Sequence, residues 1–457
     1  MGLAFFPRGG SAHVARNLAA ALGGAGWDVT ILTGSLARAG EPGNAREFYA
    51  GLDVRPQDFS RALEAPDPMR ADPPMHPSYE DRPGAPDRVF ASLDDADYER
   101  QVTAWCRALQ SVDAANADIL HLHHLTPIHE AARRVAPGVP IVGHLHGTEL
   151  LMLEEIEADP RRWAYAEAWA ARLRAWAGAC ERVIVQSQTL VARAGALLGL
   201  DAGRFVLVPN GFDPKTFKPH TVDHRALWRR ALVDEPRGWA PGERAGSVRY
   251  DVADLEAFDD DQGRTPVLLY VGRFTEVKRL PLLMEAYGHG RPGFARRAPL
   301  VLVGGFPGEW EGEHPLEAIR RTGVPDVFLA GWHTHRELPE FLAASDVVVL
   351  PSVREQFGQV LVEAMACGLP AIAVDAWGPA DIVEHGETGW LVEPDDPISL
   401  ENALVHAVNC PTERRRRGER AAVEARERYS WPALAEDVAA VYDAARSSFS
   451  GLLGAGA

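Results

Sequence analysis

Val349-Leu350-Pro351-Ser352-Val353-Arg354-Glu355-Gln356-Phe357-Gly358-Gln359-Val360-Leu361-Val362-Glu363-Ala364 reads as a strand, a short loop and a helix. The apolar run ends at Leu350, Glu355 lies in the loop, and Gly358 opens a helix that carries Glu363. Such a turn leaves unpaired backbone N–H groups and the positive end of a helix dipole at the strand's carboxyl edge, where an anion can sit. Two carboxylates frame the same point. Beside a bound phosphate they would repel it, so they read as acceptors for the hydroxyl groups of a sugar and a ribose.

Short β-rich apolar runs alternate with helical patterns through most of the rest of the chain, which marks parallel sheets built from strand-helix-strand units. In the first half the runs are 3–6, 29–32, 119–122, 139–142, 183–185 and 205–208. Val14, Ala15, Leu18 and Leu22 give the segment between the first two an apolar helical face. The pattern restarts at 267–271 and continues through 300–303, 327–329, 347–350, 371–374 and 391–392. The chain is read as α/β, with two Rossmann-like, doubly wound parallel sheets in succession. Ligands of such sheets bind outside the carboxyl ends of the strands, so an interdomain cleft between two facing domains is the expected site.

Two segments break the rhythm. Residues 40–98 hold Pro66, Pro68, Pro73, Pro74, Pro77, Pro83 and Pro86 amid acids and read as a long loop excursion. Residues 220–265 read as an enlarged linker, in which Asp259-Asp260-Asp261 is a solvated acidic run rather than a metal site. The expected organisation is a first domain over 1–213, a linker with an insertion over 214–265, a second domain over 266–430, and a C-terminal helix over 431–457 crossing back to the first. Trp169, Leu173 and Trp176 share a helical face, which is read as core packing rather than a membrane-surface helix.

At 457 residues the chain exceeds what one hydrophobic core usually supports. With 46% hydrophobic and 24% charged residues it is neither disordered nor fibrous. Its 47 basic and 64 acidic residues give a formal charge of −17, which argues against a nucleic-acid partner. Cys106, Cys180, Cys367 and Cys410 are widely spaced and read as reduced thiols. With no signal-peptide pattern and no long apolar run, a cytoplasmic protein is expected, with peripheral membrane attachment left open.

A second motif, Gly272-Arg273-Phe274-Thr275-Glu276-Val277-Lys278, follows the strand at 267–271. Two cations five residues apart in a strand-to-helix turn can converge on one diphosphate, arginine by its planar fork and lysine as a compact charge. The chain has only three lysines, Lys215, Lys218 and Lys278. Where nearly every other cation is arginine, Lys278 stands out.

Arg273, Lys278, Glu355 and Glu363, with Pro-Asn-Gly-Phe-Asp at 209–213, resemble the retaining glycosyltransferases of family 4, whose fold is GT-B. Further matches are Gly9-Gly10, Leu145-His146-Gly147, Asp346 to Ser352, and Glu387-Thr388-Gly389-Trp390-Leu391-Val392. Where many relatives carry Pro-Glu, this chain has Ala380-Asp381, a shorter carboxylate.

The resemblance implies that Arg273 and Lys278 hold the donor's diphosphate with no metal or other cofactor. It places Glu355 on the donor sugar, the amides of Phe357, Gly358 and Gln359 on sugar and phosphate, Glu363 on the ribose, and Asn210 on the donor side. Gly9 and Gly10 would let the first loop approach the diphosphate and the acceptor closely, a use of glycine's conformational freedom. His146 would sit near the anomeric carbon, making His146, Arg273, Lys278 and Glu355 the catalytic set. His13, His123 and His124 are candidates for the acceptor side.

His121, His123, His124, His129, His144 and His146 invite a zinc reading, but strand alternation sends neighbours to opposite faces, so no metal site is expected. The implied activity is a retaining, metal-independent hexosyltransferase that uses a nucleotide-diphosphate sugar and a hydroxyl acceptor, with a soluble small molecule, sugar or sugar phosphate preferred. A lipid-linked or polysaccharide acceptor and a nucleotide-sugar epimerase of the same fold are the alternatives.

Overall fold

The computed structural model describes residues 1–7, 9–40, 43–80 and 86–455. It divides into two units, Met1–Asn210 with Trp431–Ala457, and Gly211–Ser430.

The first unit is built on a parallel sheet of β1 (Gly2–Leu3), β2 (Thr30–Ser35), β3 (Asp53–Asp58), β4 (Leu120–His123), β5 (Ile141–His144), β6 (Arg182–Val185) and β7 (Phe205–Leu207). Their spatial order is β3-β2-β1-β4-β5-β6-β7. The order reverses between β1 and β4, which makes their carboxyl ends the natural place for a ligand. On one face, Val14, Leu18 and Leu22 of the helix Gly10–Gly24 pack with Leu434, Val438, Val441 and Tyr442 of the helix Trp431–Ala455. On the other, Trp169, Leu173 and Trp176 lie in the core as the sequence pattern predicts, joined by Trp105. Each such leucine contributes about 1.5–3 kcal/mol by leaving water.

Residues 40–98 correct the expectation of a loop excursion. They supply the edge strand β3 and bury Phe59, Met69, Met75, Tyr79 and Phe90 in the unit's core. Composition hid this. The strand Asp53-Val-Arg-Pro-Gln-Asp is acidic at both ends and carries Pro56, which an edge strand tolerates because one side of its ladder is unused. The core residues that follow obey neither a two-residue nor a helical period.

The second unit contains a short antiparallel pair, β8 (Asp259–Asp260) and β9 (Gly263–Arg264), and a six-stranded parallel sheet. Its strands are β10 (Leu268–Gly272), β11 (Leu300–Gly304), β12 (Val327–Gly331), β13 (Val347–Leu350), β14 (Ala371–Val374) and β15 (Gly389–Val392). The order is β12-β11-β10-β13-β14-β15, so the reversal falls between β10 and β13. Residues 214–265, expected as a linker, pack within this unit, with Trp228, Trp239 and Phe258 buried in its core. The segment covers the open edge of the sheet. Arg237 bridges to Gly331, and the Tyr250 hydroxyl accepts the Leu329 N–H at 2.8 Å. Asp260 of the aspartate run is paired with Arg296, while Asp259 and Asp261 are exposed.

Candidate active site

The two sequence motifs of the second unit meet at its strand reversal. β10 runs into a single 3-10 turn, Glu276–Lys278, before the helix Leu280–Gly290 begins. β13 runs into the loop that carries Glu355 and then into the helix Gln359–Ala366. A hydrogen bond from Val353 N–H to Val277 O, 3.0 Å, ties the two loops together, and Gly378 N–H donates to Glu355 O at 3.1 Å. Held in this way, the Lys278 ammonium forms an ion pair with the Glu355 carboxylate. The side chains are 15% and 19% exposed, so Lys278 is not a free surface cation. Arg273, one loop position after Gly272, is exposed, and its carbonyl accepts the Tyr270 hydroxyl at 2.6 Å.

Gly358 is the residue before the first helical turn, with φ 99, a conformation that costs an L side chain about 1–2 kcal/mol. It turns the first amides of the helix Gln359–Ala366 toward the carboxyl edge of the sheet. Two buried hydroxyls lie in the same loops, Ser352 Oγ and Thr275 Oγ1, and neither has a hydrogen-bond partner among the described residues. Unpaired buried polar atoms beside a cation are what a ligand rich in acceptor oxygens would satisfy. Sequence reading missed both, because an isolated serine or threonine carries no signal until the fold buries it.

Glu363 projects from the next turn of the helix and is buried. Its Oε1 accepts from His335 Nε2 at 2.7 Å and from Gln359 Nε2 at 3.2 Å, and the Gln359 amide also donates to Gly211 O at 2.8 Å. His335, on the loop after β12, was not foreseen and has no local motif. The Phe357 ring is buried against Tyr429 at 6.3 Å, so only its backbone is available to a ligand.

Behind these loops the insertion acts as a brace. Trp239 is fully buried among Phe274, Trp310 and His314, and its indole N–H donates to Gly305 O at 2.9 Å. Gly304, at φ 123, lets β11 end against β10, since a Cβ there would fall 2.1 Å from Gly272 O. A cavity of about 240 Å³ at the Glu276–Lys278 turn is lined by Thr275, Glu276, Arg279, Glu311 and Glu313 with apolar neighbours.

In the first unit, Gly9 and Gly10 begin the helix Gly10–Gly24, Gly9 as its N-cap. Gly9 has φ −110 and ψ 177, and neither glycine has a positive φ. A Cβ on either would meet nothing within 4 Å. The expected conformational need for glycine is therefore overturned. The pair instead leaves the helix terminus uncovered by side chains. His13 packs edge-on against Phe48 at 4.9 Å, and the Asn210 Oδ1 has no hydrogen-bond partner among the described residues.

At the carboxyl ends of β4 and β5 the histidines form a stacked ladder. His121 and His123, two residues apart on β4, share a face with His144 of β5 and with His146 beyond it. The alternation argument separates only adjacent residues, so it did not foresee this cluster. His121 Nε2 lies 3.1 Å from His144 Nδ1, His121 Nδ1 lies 2.6 Å from the Tyr442 hydroxyl, and His123 Nδ1 lies 2.9 Å from His146 Nε2. Ligand nitrogens of His121, His123 and His144 come within 4.8 Å of one another. The rings are nearly parallel, at 11°, 21° and 25°, and the facing nitrogens of His121 and His144 are taken up by their mutual hydrogen bond.

Burial, reinforced by the neighbouring imidazoles, pushes His121, His123 and His146 well below the usual histidine range, and His144 to about 3. His124 leaves the ladder and bonds Glu149 Oε2 at 3.2 Å, while the His146 N–H donates to Glu149 Oε1 at 2.9 Å. Burial alone would raise the Glu149 carboxyl, but His124 and these hydrogen bonds hold it below the ordinary value. Glu149 was not among the expected site residues.

The family described as "Glycosyltransferase Family 4" matches residues 8–216, and that described as "Glycosyl transferases group 1" matches residues 255–424. A D-inositol 3-phosphate glycosyltransferase 2 of Catenulispora acidiphila is 31% identical over 271 residues, 58% of this chain and 56% of that protein's length. Among solved structures, sucrose-phosphate synthase from Thermosynechococcus elongatus is similar with a TM-score of 0.66 and 21% identity, over 98% of this chain and 99% of that one. Anabaena HepE in complex with UDP and glucose is similar with a TM-score of 0.64 and 18% identity, over 97% and 98%. No helix among the described residues is long and apolar enough to cross a membrane.

Proposed function

This chain belongs to the family-4 glycosyltransferases and has their GT-B fold, and from that premise we propose that it moves a hexosyl group from a nucleotide-diphosphate sugar to the hydroxyl of a small soluble acceptor, a sugar, polyol or their phosphates. The observation that carries the reading is the seating of Lys278 on Glu355 at the strand reversal of the second unit, beside exposed Arg273, two unpaired hydroxyls and the amides that open the helix Gln359–Ala366. One cation held by the sugar-binding carboxylate brings phosphate and sugar recognition to the same point.

In the proposed reaction the bond between the anomeric carbon and the diphosphate oxygen breaks and the acceptor oxygen bonds to that carbon on the same face. The acceptor's proton passes to the departing phosphate, so the configuration is retained. Arg273 and Lys278 stabilise the negative charge that grows on the leaving group, which places the catalytic demand on electrostatics and positioning rather than on a nucleophile. No metal is required in this scheme. Glu355 orients the sugar hydroxyls, Glu363 takes the ribose hydroxyls in exchange for its bond to His335, and the family resemblance assigns His146 to the sugar. Support for a phosphorylated small acceptor comes from the activity that the name of the Catenulispora protein carries.

A mass-spectrometric screen of nucleotide sugars against a pooled acceptor library tests the proposal. It predicts transfer, or slow donor hydrolysis, that depends on Lys278. An isomerised nucleotide sugar formed without any acceptor would make the chain an epimerase instead.

A further inference from the structure

We propose that His123 is a positioning residue that sets the tautomer of His146, so that His146 offers the substrate a hydrogen-bond donor at Nδ1 and not a basic lone pair. The assignment of His146 to the sugar rests on the function proposed above; the tautomer rests on the ladder itself.

His123 lies on β4 directly across from His144 of β5, and the ladder carries its ring onto His146. The contact is His123 Nδ1 to His146 Nε2 at 2.9 Å, and one proton must lie between them. His123 is fully buried, and its Nε2 has no hydrogen-bond partner among the described residues. A neutral imidazole has a single proton to place. If His146 donated, the His123 proton would be forced onto Nε2, leaving a buried N–H with no acceptor. If His123 donates from Nδ1, only a lone pair is left unpaired at Nε2. Orphaned buried donors are rarer and more costly than under-used acceptors, so His123 is the donor.

His146 then accepts at Nε2 and carries its own proton on Nδ1. That nitrogen has no hydrogen bond among the described residues and is not sealed in the core, which leaves it for a ligand. Burial and the surrounding rings disfavour a second proton on either residue, which keeps the pair neutral. Glu149 fixes the His146 backbone N–H at 2.9 Å, so the ring is aimed from the main chain as well. A neutral Nδ1–H donor can hold a substrate oxygen but cannot remove the acceptor's proton. The proton must therefore leave by another group, as it does when the departing phosphate takes it.

The test is long-range ¹H–¹⁵N spectroscopy of the full chain with ¹⁵N-labelled histidine, which reads the protonated nitrogen of each ring without any substrate. His146 is expected with its proton on Nδ1 in the wild type, and on Nε2 in His123→Phe, which keeps the stack and loses the donor. A wild-type His146 protonated at Nε2 overturns the proposal, as does an unchanged tautomer in His123→Phe. Should His123→Phe fail to fold, His123→Asn, whose amide reproduces a donor at the Nδ1 position, is expected to leave the His146 tautomer as it is. Kinetics give a second readout. His146→Asn, which keeps a donor near the Nδ1 position, should exceed His146→Gln in kcat by about tenfold, the worth of one hydrogen bond. The reverse ranking contradicts the proposal. Loss of nucleotide binding to the second unit would instead overturn the function and leave the spectroscopic result standing.

Discussion

Acidification from pH 8 to pH 5 is expected to weaken the first unit by an amount that follows from its buried imidazoles. His129 is held at about 4, through burial foremost, and His144 at about 3. Both lie below the ordinary value of 6.5, so the unfolded chain binds protons that the folded chain refuses. The stability these groups confer is complete above the unfolded pKa and is lost as pH falls toward the folded ones. At pH 5, one and a half units below the unfolded value, each group has given up about 2 kcal/mol, at about 1.4 kcal/mol per unit. The two together remove about 4 kcal/mol from a total that is typically about 5–15 kcal/mol. His121, His123 and His146 shift in the same direction and add to it. In urea the transition of the first unit should move down by about 2 M, for a slope of about 2 kcal/mol per molar. His129→Asn keeps the bond to the Thr126 carbonyl, 3.2 Å in the wild type, and cannot titrate, so it should recover about half of the loss from these two groups. Coincident urea transitions at pH 8 and pH 5 would refute the neutral state of these buried imidazoles, and a His129→Asn variant with the full pH dependence would refute the share assigned to His129.

Lys278→Ala should lower kcat at least about a hundredfold, the usual consequence of removing one stabiliser of a leaving anion. The same change should cost the fold about 1 kcal/mol, because Glu355 loses a partly buried partner; urea unfolding of the purified variant checks this. Glu363→Ala should weaken binding of a free nucleoside diphosphate about tenfold or more in calorimetry, since a buried carboxylate acceptor is lost. Unchanged affinity there would place the ribose elsewhere. Incubation with a chelator should leave the transfer rate unaltered, and a rate restored only by added divalent metal would contradict the metal-independent scheme.

What the sequence revealed, and what it hid, divides along physical lines. Regular β-rich runs at 119–122, 139–142 and 347–350 announced their strands, because a doubly covered parallel strand is apolar on both faces. β3 escaped notice because an edge strand needs only one side of its ladder and so tolerates Pro56 and charge. The Glu355 and Glu363 spacing was legible as a turn and a helix, and Lys278 by its rarity, yet the ion pair between Lys278 and Glu355 was not. It joins loops 77 residues apart, and no local pattern reports such a meeting. His335 reaches Glu363 in the same way. Gly9 and Gly10 mark the opposite error, since glycine in a motif suggested strained backbone where the structure has an ordinary extended cap. The histidine ladder was half visible. A period of two puts His121 and His123 on one face, but only the register of β4 with β5 brings His144 and His146 onto it.

The reaction proposed for this chain breaks the bond between sugar and diphosphate. Phosphorus and proton NMR of one reaction, with the full chain, a donor and its acceptor, follow both sides of that bond. Release of an intact nucleoside diphosphate is expected, with a product whose anomeric proton keeps the donor's configuration. Appearance of a nucleoside monophosphate with a sugar phosphate, or of an inverted product, would contradict that reaction.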